Sequence, residues 1–153
     1  MTVHNTFLTL HIISVVTWVG GGIMMQALAT RARAAGSTRL VDFAQDAAWT
    51  GNHVFMPASI ATLVFGILTA TVGAGHVGLK LLWIKLAFVG WLLTAVNGGA
   101  VLGRISRKLR NETNEHGPDA PVVRDTAKRL LMAMNIDLVI VVAVIVDMVF
   151  KPA

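Results

Sequence analysis

Four apolar stretches, each around twenty residues long, decide what this chain can fold into. At 1.5 Å of rise per residue, twenty helical residues cover about 30 Å, the thickness of a bilayer's hydrocarbon core. The stretches run from about Thr6 to Ala29, Val54 to Val72, Leu79 to Leu102 and Leu130 to Phe150. Hydrocarbon offers no partner to a backbone N–H or C=O, so each stretch must bond within itself as a helix. The expected fold is therefore all-α: an integral membrane four-helix bundle forming a single domain over residues 1–153. Composition agrees, since 14% of residues are charged and 55% hydrophobic, against about 25% charged in soluble domains.

The segments between the stretches set the topology. Gly73-Ala74-Gly75-His76-Val77-Gly78 is a tight glycine-rich turn between spans two and three. Asn52 is a candidate cap for span two, and Pro57 falls in its first turns. The segment after span one carries Leu40, Val41, Phe43, Ala44 and Ala47 at near-helical spacing, which predicts a short amphipathic helix lying on the membrane. Pro118 and Pro121 interrupt the segment before span four, so the helix leading into that span is expected to begin after them. Ten of the thirteen Lys and Arg lie in the two long connections: Arg31, Arg33, Arg39, Arg104, Arg107, Lys108, Arg110, Arg124, Lys128 and Arg129. Lys80, Lys85 and Lys151 lie elsewhere. The positive-inside rule then predicts cytoplasmic basic loops, both termini outside, and residence in the inner (plasma) membrane of a cell. Ala27-Leu28-Ala29 resembles a signal cleavage site, but no Lys or Arg precedes the first stretch, so a retained helix is expected.

Several chemistries are excluded. The chain has no cysteine and no tyrosine, which removes disulfides, thiolate metal sites, iron–sulfur clusters and phenolic relays. The net charge of +5 accompanies no groove-reading motif and sits beside apolar runs, so the expected partner is membrane lipid and not nucleic acid. No nucleophile–base pair or phosphate loop is present, and Gly20-Gly21-Gly22 lies inside an apolar helix. An independent enzyme is the least expected reading.

Membrane helices associate through small and polar residues. Helical spacing places His4, His11, Ser14, Trp18, Gly22 and Met25 on one side of span one. Span two aligns Asn52, Met56, Ser59, Gly66 and Gly73, with Thr62 and Thr69 at the edge. Span three aligns Trp83, Ala87, Gly90, Thr94 and Asn97, and span four aligns Asn135 with Val139, Val142 and Val146. Such faces pack helix to helix or leave room for a flat cofactor.

Ionisable groups inside a membrane are costly and mark function. His11 stands out, one to two turns below the outer surface on the small-residue face; a neutral imidazole there suits haem iron or copper. The alternative is a hydrogen bond to a neighbouring helix. His76 and Lys85 lie at similar depth, although Lys85 faces away from the span three stripe and is expected to snorkel outward. Asp147, near the outer end, has Lys85 or His11 as expected partners. Asn135 and Asp137 lie nearer the basic side, with Asn97, Lys128 and Arg129 as neighbours. They form either an ion pair or hydrogen-bonded plug, or a proton or ion path. Met25 and Met56 add soft thioethers that suit cuprous copper.

The run Leu10-His11-Ile12-Ile13-Ser14-Val15-Val16-Thr17-Trp18-Val19-Gly20-Gly21-Gly22 resembles the first span of a family of small bacterial four-span membrane proteins of unknown function. The likeness extends to Phe55-Met56-Pro57-Ala58-Ser59, Trp83, the Arg-rich stretch after Gly103, and Lys151-Pro152. It implies a four-span fold. The Leu-His and Trp-x-Gly pattern is more loosely similar to HemJ-type protoporphyrinogen oxidases and to CopD-type copper-resistance proteins. The first likeness implies haem b on His11, with Lys85 matching a later basic residue, though tyrosines of a closer match are missing here. Three functions follow as expectations: a haem-b-binding redox or electron-transfer component with His11 as axial ligand and Trp18, His76 and Lys85 nearby; a copper or ion transport component; or an accessory subunit, homo-oligomeric or within a larger membrane complex.

Overall fold

A computed structural model describes residues 2–72 and 81–150. Every regular element among them is helical: α1 (Val3–Ala35), α2 (Ser37–Thr50), α3 (Met56–Thr71), α4 (Leu82–Val96), α5 (Gly103–His116) and α6 (Pro121–Phe150). A π turn over Gly51–Phe55 joins α2 to α3, and another over Asn97–Leu102 joins α4 to α5. The chain therefore forms four long rods of 30 to 35 residues, each long and apolar enough to cross a membrane. This makes the chain a multi-pass membrane protein. The glycine-rich turn with His76 lies outside the described residues.

The rods are longer than a bilayer requires. At 1.5 Å per residue, 33 residues of α1 reach about 50 Å, against about 30 Å of hydrocarbon. The surplus lies at the basic end, where α2, α5, the end of α1 and the start of α6 form a stalk. Here the apolar residues are buried as in a soluble protein. Ala29, Leu40, Phe43, Ala44, Leu109 and Val123 make one cluster, with Ala29 and Leu109 at 0% exposure. In the membrane half the outward surface stays apolar: Val16, Val139 and Phe150 are exposed, the arrangement that lipid solvates.

The surface helix predicted within residues 30–51 is a helix, α2, but it does not lie apart from the rest. It runs on into span two, and Leu40, Val41, Phe43 and Ala44 are buried within the stalk. Asn52 is correspondingly not a cap. It sits inside the π turn, where the Met56 N–H bonds back to Gly51 O, five residues earlier. Pro57 supplies the reason. It has no N–H, and its ring would crowd the carbonyl four residues back; a wider π turn just before it relieves both problems. Gly98 and Gly99 lie in the second π turn, where Gly103 N–H bonds Gly98 O.

Both stalk reversals use glycine with positive φ, Gly36 at 113° and Gly117 at 80°. A side chain resists that region, so these two positions end α1 and α5. Helix α6 starts at Pro121 itself and not after it, since proline at the first helical position loses no hydrogen bond. In-span hydroxyls return to their own helix: Ser14 Oγ donates to Leu10 O, and Thr62 Oγ1 donates to Ala58 O, both at 2.8 Å. Neither hydroxyl then faces hydrocarbon unpaired.

Candidate functional site

Helices α1 and α3 pack antiparallel, and two glycines allow it. A Cβ on Gly21 would overlap the Phe55 ring, and one on Gly66 would come 3.1 Å from the His11 ring. Of the glycine triplet, Gly21 makes the close approach; Gly20 and Gly22 have nothing within 4 Å of a built Cβ. The His11 imidazole occupies the notch at Gly66, and its Nδ1 lies 2.9 Å from Thr62 O. A carbonyl only accepts, so Nδ1 carries the proton. In the neutral ring, Nε2 then keeps its lone pair, and it has no hydrogen bond among the described residues. Ligating histidines are typically held in this way, with the far ring nitrogen donating to a carbonyl.

Next to this notch lies a cavity of about 30 Å³, lined by Trp18, Thr62, Gly90, Thr94, Val141 and Val144, among others. That is room for about one water molecule. Within α4, Gly90 lets the Val144 side chain fill the space a Cβ would take. Trp91 Nε1 donates to Ser59 O at 3.0 Å, tying α4 to α3. The predicted face of α4 is the inward one, since Ala87, Gly90 and Thr94 are buried.

The predicted face of α6 is not. Val139 is 68% exposed, and Val142 and Val146 are exposed with it. The inward face instead carries Ala133, Asp137, Val141 and Val144. Valine spreads evenly around this helix, so its apolar pattern has no side; Asp137 marks the true interior. Met56 is likewise exposed, while Ser59 and Thr62 of span two are buried.

A second polar level lies where the spans meet the stalk. Asn97 Nδ2 donates to Asp137 Oδ1 at 3.2 Å and to Ala133 O at 3.1 Å. Gln26 Nε2 donates to Asn135 Oδ1, linking α1 to α6. The expected Asn97–Asp137 neighbourhood is thus present, whereas Lys128 pairs with Asp125 at 3.9 Å and no ion pair reaches Asp137 among the described residues. Gln26 is the polar residue that a search for ionisable groups overlooks. It lies fifteen residues after His11, about 22 Å along the helix. Both π turns fall near this level, since Phe55 packs on Gly21 and Asn97 opens the second turn.

Toward the opposite end, Lys85 is exposed, as a snorkelling residue should be. Asp147 Oδ2 is buried without a hydrogen bond, and no ion pair joins Asp147 to Lys85 or His11 among the described residues. His4 Nδ1 lies 3.3 Å from Val72 O. No group of three His, Asp or Glu residues is arranged to hold a metal ion among the described residues.

The chain matches no family model, no curated protein and no solved structure. The site must therefore be judged on its own geometry. For haem b, His11 offers an oriented imidazole whose Nε2 has no hydrogen bond among the described residues. The bundle interior does not meet the requirement of room, because a cavity of about 30 Å³ falls far short of the roughly 300 Å³ or more of ordinary ligand sites. A porphyrin does not fit between these four helices as packed.

Proposed function

We propose that the chain is a membrane subunit of a redox or electron-transfer assembly, and that His11 supplies one axial ligand to a haem b held at the bundle's surface against a partner chain. The observation that carries this reading is the His11 Nδ1 bond to Thr62 O at 2.9 Å. It fixes the ring and the tautomer and leaves one coordinating nitrogen. Because the interior lacks room, the second ligand and the pocket walls belong to a second copy or to a larger subunit. Haem so bound would supply one-electron chemistry; this chain's residues would hold and orient it. The same subunit is proposed to sit in a plasma membrane with its basic stalk in the cytoplasm and both termini outside, by the positive-inside rule.

The test is the visible spectrum of the protein purified from membranes and titrated with haem b. A Soret band is expected, and it should vanish in His11→Asn, whose amide retains a donor near the Nδ1 position but offers no imidazole. Thermal unfolding of that variant should stay within a few degrees of the parent. A parent protein with no Soret band after titration would overturn the haem reading. Copper in elemental analysis would then favour ion transport, and copurifying larger subunits without chromophore would favour an accessory role.

A further inference from the structure

A second cavity lies outside the membrane half. It lies in the stalk, between the Gly36 reversal and the Gly117 reversal, and has a volume of about 400 Å³. Its floor is apolar, made by Leu40, Val41, Leu109, Val123, Ala127 and Leu131. Its rim carries three cations, Arg33, Arg124 and Lys128, against one acid, Asp119. Arg124 meets Asp119 at 3.8 Å and Lys128 meets Asp125 at 3.9 Å, both largely exposed pairs. Such pairs contribute little and yield readily to a better anion. Arg33 makes no ion pair with the described residues, so the rim keeps a net positive charge.

The position of the cavity matters as much as its lining. Leu131 stands one residue inside span four, and Val123 lies eight residues earlier. At 1.5 Å per residue, the cavity rises about 12 Å from the hydrocarbon boundary, which is the headgroup level of the leaflet. An apolar floor that begins beside the first residues of span four, under a basic rim at phosphate height, complements one class of molecule. We infer that this cavity binds a single anionic phospholipid of the basic-side leaflet, its phosphate on Arg33, Arg124 and Lys128 and its glycerol and upper chain on the Leu40–Leu131 floor. Basic pockets between membrane helices take anionic headgroups by this combination of charge and access. The inference does not depend on haem at His11, which lies in the outer half of the bundle.

The test uses the full chain in nanodiscs of phosphatidylcholine, with and without phosphatidylglycerol or cardiolipin. Native mass spectrometry after release into detergent counts the lipids retained. One anionic lipid should stay bound to the parent protein. The double variant Arg33→Ala/Lys128→Ala should lower its retention by about thirtyfold, at roughly five- to sixfold per basic residue. The control Arg107→Ala/Arg110→Ala removes equal charge elsewhere on the stalk and should lower it by no more than about threefold. Both pairs are exposed, so unchanged thermal unfolding certifies folding. Equal loss in the two double variants would overturn the site in favour of diffuse attraction. So would retention of dodecyl phosphate added from solution together with no retention of bilayer lipid, since the ligand would then come from the aqueous side.

Discussion

The described glycines within the spans divide into two kinds that the sequence does not distinguish. At Gly66 a methyl group would stand 3.1 to 3.2 Å from two atoms of the His11 ring, and the ring is pinned by Thr62 O. At Gly90 it would collide with Val144, a β-branched side chain with little rotamer freedom. At Gly20 and Gly22 it would meet nothing. Gly66→Ala and Gly90→Ala should therefore each destabilise by about 1–3 kcal/mol through overpacking. Gly20→Ala should be neutral or stabilise by up to about 1 kcal/mol, since alanine is the better helix former. Thermal unfolding in detergent checks the order; a Gly20 variant as damaging as Gly66 would show that a neighbour packs on that face. Sequence spacing places Gly66 and His11 on facing stripes, but only the antiparallel register of α1 and α3 brings them to the same height. The same holds for Gln26 and Asn135. Neither residue is charged, and their pairing depends on how far each rod projects before it meets its neighbour.

At the scale of the element, the spans are readable from hydropathy because hydrocarbon imposes a single solution on the backbone. Their continuation into the stalk is not. Residues 37–50 have the apolar spacing of an amphipathic helix, and that pattern is the same whether its apolar side meets lipid or other helices. What decides the case is the absence of a helix stop at residues 50–52: Gly51 keeps helical dihedrals, −55° and −47°, so the rod continues. The face of α6 is unreadable for a different reason, because valines at 139, 142 and 146 carry no polarity contrast with those at 141 and 144. Leu109 is the residue on which the stalk's integrity turns, being wholly buried from α5 among residues of α2 and α6. Leu109→Ala should cost about 2–5 kcal/mol. Because the membrane rods have their own contacts, the loss should be confined to the stalk. Hydrogen exchange should rise in 37–50 and 103–116 while 56–71 and 84–96 stay protected. Uniform deprotection of all four rods would show instead that stalk and membrane half unfold as one unit.

At the scale of the whole molecule, the basic residues serve two ends at once. Ten cations coat the outside of a stalk whose inside is apolar, and by the positive-inside rule their number is expected to set which way the bundle inserts. Moving such a stalk across a bilayer would expose each Lys and Arg to a cost of about 2.5–3.5 kcal/mol at the membrane centre. The other end carries exposed Val149 and Phe150 and little charge. The bundle should therefore insert with its stalk in the cytoplasm. The sequence has no cysteine, so single cysteines report position without background. Val3→Cys replaces an exposed residue at one end, and Glu115→Cys replaces an exposed residue at the tip of the stalk. On intact cells or spheroplasts, a membrane-impermeant maleimide should label the cysteine at 3 and spare the one at 115. After permeabilisation both should react. The reverse pattern would invert the topology, placing the three rim cations of the stalk cavity beneath the outer leaflet, and the anionic lipid would then have to be sought there.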